Sequence, residues 1–213
     1  MRSRLIALTA ALSLTACVPW TVRPLDDGKQ GATSVSNPVE FAASIWDSKV
    51  VPTITRDAVD ARVLIDAFGA NPDAARTKFG KRESGGPAYY MVKGEGRVLA
   101  VNVASRARTI SIDVAPFDGT ADVSVQAGPV LRGTSLRDAT GLVHFTDFVN
   151  QIQYAEAGNA LNARVWKTVL ESLDIARLPR KTVSFAGTVG EADRAAPFLR
   201  DLMPVRLTLA EGR

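Results

Sequence analysis

Apolar residues recur every three or four positions along residues 38–82, and every second position from Tyr89 onward. The first spacing is that of a helix with one buried face, the second that of a half-buried strand. Asn37-Pro38 has the form of a cap and first-turn pair, followed by Phe41, Ile45 and Trp46 at helical spacing. Pro52 is expected to break that helix. Thr53 or Thr55 then caps a second one, with Val59, Val63, Ala67 and Phe68 as its apolar stripe and Gly69 at its end. Phe41, Trp46, Val63 and Phe68 are expected to pack in the helical part and against the strands that follow. Asn71-Pro72 predicts a short third helix closed by Gly80.

The strand patterns begin with "GRVLAVNVAS". In "TISIDVAPF" and "ADVSVQAG", Ile110, Ile112, Val114, Val123 and Val125 alternate with polar residues. Gly94-Glu95-Gly96 and Phe117-Asp118-Gly119 are read as turns. A long helix is expected over residues 151–174, striped by Tyr154, Ala157, Leu161, Val165, Val169 and Leu173. The strands "KTVSFAGTV" and "PVRLTLA" close the chain. Three strands, a helix and two strands is the element order of an OB barrel. The predicted class is therefore α+β: a small helical subdomain over residues 38–86, then an OB-like antiparallel barrel over 87–213 with a long helix between strands 3 and 4. An open antiparallel sheet with a packed helix is the alternative.

The amino terminus changes where this body resides. Arg2 and Arg4 precede an apolar run over residues 5–14, too short for a bilayer span of roughly 20 residues but suited to a signal peptide. Leu14-Thr15-Ala16-Cys17 looks like a bacterial lipobox, in which the cysteine is acylated and the signal (1–16) removed. Cys17 is the only cysteine, so the mature chain has no thiol left for disulfides, metal or catalysis. Residues 17–37, with "PLDDGKQGATSVSNP", read as a flexible tether. The expected place is the bacterial cell envelope, on the periplasmic face, held to the bilayer by lipid. The formal charge of +4 falls to +2 once Arg2 and Arg4 are cleaved, because 24 basic residues then face 22 acidic ones. Dispersed charge of that size outside the cytoplasm argues against a nucleic-acid partner.

Chemistry is sparse. His144 is the single histidine and sits in "LVHFTDF", so it is expected to be partly buried and bonded to backbone or Asp147 rather than to serve a triad or zinc site. Asp138 and Asp147 are the acids that a small-saccharide enzyme would pair, although Arg132, Arg137, Thr134 and Asn150 around them favour neutralised, hydrogen-bonded roles. No cofactor or metal is expected: Asn71 and Asp73 lack calcium-loop spacing, and "VKGEGRV" lacks the pattern of a phosphate loop. In "GPVLRGTSLRDATG", Arg132 and Arg137 sit between glycine turns. There an arginine can bond Asp138 or the carboxylate of a ligand. Asp147, Asn150, Gln151, Gln153 and Tyr154 suit sugar hydroxyls, while Asn150 or Gln151 can equally cap the helix and Tyr154 can belong to the core. The candidate ligand or partner surface is thus Arg132, Thr134, Arg137, Asp138, Asp147, Asn150 and Gln151, with catalytic residues absent and Cys17 the lipidation site.

"SIWDSKVVPT", "NPDAARTKFG", "VKGEGRV", "GPVLRGTSLRDATG", "FTDFVNQIQYAEAGNALN" and "SFAG" run in order over residues 41–205. In these stretches the chain resembles the domain of unknown function 2291 family of predicted periplasmic lipoproteins. The resemblance implies a helical subdomain with an OB-like barrel and genetic association with ribose-type sugar ABC transporters. It brings no activity and no assigned residues. The expected role is an accessory or binding component of sugar uptake, in contact with the transporter, its solute-binding protein or the sugar. A small-saccharide enzyme and a structural envelope lipoprotein are the alternatives.

Cys17→Ser is expected to abolish lipid attachment and signal cleavage together, measured by metabolic labelling with a fatty acid and by the size of the membrane-associated protein. A serine variant that still carries lipid contradicts the lipobox assignment.

Overall fold

The computed structural model describes residues 35–82, 86–190 and 198–210. The predicted signal peptide, Cys17 and the tether up to residue 34 lie outside the described residues.

Helix α1 spans Pro38–Ile45. The side-chain oxygen of Asn37 accepts from the N–H groups of Val39 (3.0 Å) and Glu40 (3.2 Å), and Pro38 fills the first position, where an N–H has no intrahelical acceptor. Pro52 does not break the helical path. A π-turn at Trp46–Val50 leads straight into α2, Val51–Asp57, and the Val51 N–H bonds to Trp46 O. The wider i→i−5 pitch absorbs the ring and the missing donor of Pro52.

The second expected helix is instead divided at Ala58, whose ψ of 132° is extended. Val59–Asp60 forms the short strand β1, which pairs in parallel with Val92 and Lys93. Asp60 then caps α3, Ala61–Ala70, accepting from Arg62 N at 2.9 Å. The new start rotates the helix relative to the expected stripe. Leu64 and Ile65 are buried, Val63 is 50% exposed, and Phe68 packs edge-on to Tyr90 at 5.2 Å. Asn71 caps α4, Pro72–Phe79, through a 3.0 Å bond from Ala74 N, and Gly80 ends it.

Five strands close a barrel: β2 Tyr90–Asn102, β3 Thr109–Val114, β4 Val123–Gln126, β5 Thr182–Val189 and β6 Leu199–Leu209. Their order is β2-β3-β4-β6-β5, and β5 returns to β2; β4 and β6 run parallel, the other barrel pairs antiparallel. With α6, Gln151–Val165, between the third and fourth barrel strands, this is OB-type connectivity. A second π-turn, Trp166–Leu170, extends α6, so the helical path stops short of the expected Asp174. Ala157, Leu161 and Val165 of the predicted stripe are buried, while Tyr154, Val169 and Leu173 pack at the edge of the core.

Gly94-Glu95-Gly96 is not a turn. It lies in mid-β2, where residues 90–97 pair with β5 and 96–102 with β3. A Cβ on Gly96 would strike Ile112 Cγ2 and stand 2.6 Å from Asp113 O; one on Gly94 would stand 2.9 Å from Phe185 Cζ. Both glycines permit the tight bend of a strand that serves two neighbours. The barrel interior (Val98, Ile110, Ile112, Val125, Leu202, Met203) and the helices (Trp46, Ile54, Leu64, Leu161) join in one buried cluster. The described residues form one compact unit.

Gly96→Ala is expected to lower unfolding stability by about 1–3 kcal/mol, because the methyl group overpacks a barrel wall. Chemical denaturation of the variant reads the loss, and an unchanged midpoint contradicts it.

Candidate functional site

Residues 127–150 connect β4 to α6. Gly133 (φ 100°) and Gly141 (φ 65°) turn the chain in the left-handed region. Gly128 is pressed against the backbone of Ala107, where a Cβ would stand 2.5 Å from Ala107 O. Between them lies the single-turn helix α5, Ser135–Ala139. Thr188 Oγ1 donates to Ser135 Oγ at 2.9 Å and Asn162 Nδ2 to Gly133 O at 3.0 Å, which fasten the segment to β5 and α6.

Arg137 and Asp138 bond each other at two points, Nε to Oδ1 at 2.6 Å and Nη2 to Oδ2 at 3.0 Å. Their side chains are only 12% and 10% exposed. The guanidinium lies 3.7 Å from the centre of the Tyr154 ring, and the Tyr154 hydroxyl donates to Asp138 Oδ1 at 3.2 Å. Burial opposes both charges. Mutual hydrogen bonding and attraction, with Thr134 and Tyr154 also bonding Asp138, overcome it: Arg137 is held above its ordinary value and Asp138 below. This pair is an internal clamp of α5 to α6.

Asp147 and Asn150 are also occupied by the backbone. Asp147 Oδ2 accepts from His144 N at 2.9 Å, and its carbonyl accepts from Val35 N at 2.8 Å. Asn150 caps α6, accepting from Gln153 N at 3.0 Å, while Gln153 Oε1 accepts from Val149 N at 3.2 Å. Gln151 is exposed in the first turn of α6. His144 is exposed, not partly buried as expected. Of the candidates, Arg137, Asp138 and Thr134 therefore form one network, and Asp147 and Asn150 form local caps beside it.

Arg132 differs from these. It is exposed, and its side chain makes no hydrogen bond or ion pair among the described residues. It lines a cavity of about 600 Å³ together with Tyr89, Thr109, Gln126, Thr134, Arg200 and Asp201. The wall is fastened by Gln126, which is 5% exposed. Its Oε1 accepts from Arg132 N at 2.8 Å, and its Nε2 donates to Arg132 O at 2.8 Å and to Asp201 O at 3.2 Å. One buried amide thus fixes both backbone segments that carry the cavity's arginines. Thr134 joins the two regions, since its hydroxyl stands 3.1 Å from the Tyr89 hydroxyl. Sequence reasoning missed Tyr89, Thr109, Gln126, Arg200 and Asp201. The one signal available was a glutamine ending an apolar strand just before Gly128-Pro129. Arg200 and Asp201 become neighbours only through the parallel pairing of β4 with β6.

An OB-type barrel with a polar cavity at the junction of its loops defines the class of protein. The chain belongs to the predicted periplasmic lipoprotein family DUF2291, whose model matches residues 7–208. The fold is similar to the crystal structure of an OB-fold protein from Thermotoga maritima, with a TM-score of 0.69 at 19% identity over 83% of this chain and 100% of that one. No curated protein matches the chain. As a member of this family the protein is a lipid-anchored constituent of the cell envelope on the periplasmic side. No helix among the described residues is long and apolar enough to cross a membrane.

Arg137→Ala is expected to lose roughly 3–5 kcal/mol of stability, because the buried Asp138 charge is left alone. Arg132→Ala is expected to melt like wild type. Asp138, whose folded pKa is lowered, contributes stability that is complete above its ordinary value of 3.8 and is lost as pH falls through the lower folded value. Asp138→Asn should therefore flatten the acid limb of the stability profile. Urea denaturation between pH 2 and 7 tests all three, and equal midpoints for Arg137→Ala and wild type contradict the clamp.

Proposed function

We propose that the protein is a non-catalytic accessory of solute uptake, tethered by an acylated Cys17, that binds a small polar ligand in the cavity beside Arg132. The observation that carries this proposal is the cavity itself. Its size suits a small molecule, it stands at the strand ends and loops where OB barrels bind their ligands, and its polar groups are held in place by a buried glutamine. The hydroxyls of Tyr89, Thr109 and Thr134 support a sugar or sugar derivative. The family resemblance supports a place beside a sugar ABC transporter, with the permease or the solute-binding protein as the partner that receives or delivers the ligand. Asp138 and Asp147, the pair that a saccharide hydrolase would use, are both committed to structural bonds, which supports the non-catalytic reading.

A thermal-shift screen of the detergent-solubilised lipoprotein against pentoses, hexoses and their phosphates tests the cavity. A ligand at 100 times its Kd stabilises by about 2.7 kcal/mol. Thr109→Trp, which fills the cavity, is expected to remove that shift and leave the unliganded melting point nearly unchanged. A shift that survives Thr109→Trp places the ligand elsewhere.

A further inference from the structure

The charges around the cavity are uneven. Arg62, Arg76, Arg137 and Arg164 each have a carboxylate partner within 4.0 Å. Arg132 and Arg200, which line the cavity, have none among the described residues, although Asp201 lies in the same wall. Ala107 of the loop between β2 and β3 and Thr109, the first residue of β3, also line the cavity and carry no charge. Two guanidinium groups, those of Arg132 and Arg200, thus line one concave surface that holds a single carboxylate, and their fields add.

The backbone there is held under tension. Three described non-glycine residues have positive φ, and two of them adjoin this cavity: Arg108 at 40° and Asp201 at 56°. Such conformations persist where surrounding structure over-determines them, and they gather at binding sites. Here the carbonyls of both residues are engaged: Arg108 O accepts from Ala127 N at 3.1 Å, and Asp201 O accepts from Gln126 Nε2 at 3.2 Å. The segments carrying Arg132 and Arg200 are therefore both fixed through Gln126 before any ligand arrives. Cationic side chains on a rigid backbone, free of internal carboxylates, match a planar or tetrahedral oxyanion.

We propose that this cavity selects an anionic ligand, a carboxylate or phosphate group held between Arg132 and Arg200. Gln126 is the positioning residue for the two segments. The inference rests on the proposed function in one respect only, that the cavity takes a small ligand, and it adds the ligand's charge. The anion belongs either to a sugar acid or sugar phosphate or to a free phosphate.

Isothermal titration of the full lipoprotein in detergent micelles with glucose, glucuronate, glucose 6-phosphate and inorganic phosphate separates these cases. At least one of the three anions is expected to bind at least tenfold more tightly than glucose, as charge-assisted bonds are about that much stronger. Arg132→Ala and Arg200→Ala are each expected to weaken that anion about tenfold or more without changing the melting point, Arg132→Lys to weaken it partly, and Lys49→Ala, on a helix, to leave it unchanged. Phosphate binding as tightly as glucose 6-phosphate identifies the free anion as the ligand, and tighter binding of a sugar anion identifies the sugar derivative. Glucose binding as well as the anions overturns the charge selection and leaves the cavity standing as a sugar site. If none of the four binds and only neutral sugars of the wider screen do, the charge selection alone fails; a sugar phosphate binding there more tightly than its parent sugar supports it. If neither panel gives binding, the cavity reading falls with it.

Discussion

Strand β2 must serve two neighbours at once. Its first half bonds β5 and its second half bonds β3, and without that division the sheet would have two open edges instead of a closed ring. The bend between the halves lies at Gly94 and Gly96, where side chains would collide with Phe185, Ile112 and the backbone of Asp113. Closure then buries Val98, Ile110, Ile112 and Val125 completely and gives the helices a fixed wall to pack against. Trp46, Ile54 and Leu161 fill the space between barrel and helices, so the helical part and the barrel share one core.

A closed barrel of this size leaves its interior full of side chains, so binding surface arises at its ends, where loops meet. The parallel pairing of β4 with β6 brings Gln126 beside Asp201, 75 residues away in the chain. A buried amide must find partners for both its oxygen and its nitrogen. Gln126 finds them in the backbone of Arg132 and Asp201, and that requirement shapes the cavity wall. Nearby, Arg137 and Asp138 satisfy each other and hold α5 to α6. Two arginines five positions apart thus have different tasks. One neutralises a buried acid, and the other is exposed and lines the cavity.

The envelope location sets the setting for this cavity. A lipidated chain works at a membrane surface, and each buried lipid CH₂ contributes about 0.8 kcal/mol to holding it there. At the start of the described residues, Val35 N bonds Asp147 O close to the first turn of α6.

Periodicity alone made the helical first part, the alternating strands and the OB-like order legible, because a packed face repeats every 3.6 or two residues whatever it packs against. The caps at Asn37, Asn71 and Asn150 were legible for the same local reason: each side chain bonds an N–H two or three residues ahead. Three expectations failed, two of them for tertiary reasons. Pro52 is accommodated by the π-turn that precedes it, Ala58 gives way to the short strand β1, and Gly94-Gly96 bends a strand instead of turning a hairpin. The last two depend on partners distant in sequence. The candidate surface was found as a segment but not as a site. Residue types in "GPVLRGTSLRDATG" showed that an arginine and an aspartate would pair; which arginine remained unpaired, and that Gln126, Tyr89 and Arg200 would stand beside it, followed only from barrel closure. Local sequence determines local hydrogen bonds and the face each element buries. The meeting of β4 with β6 is decided by the shape of the whole core, and that meeting made the cavity.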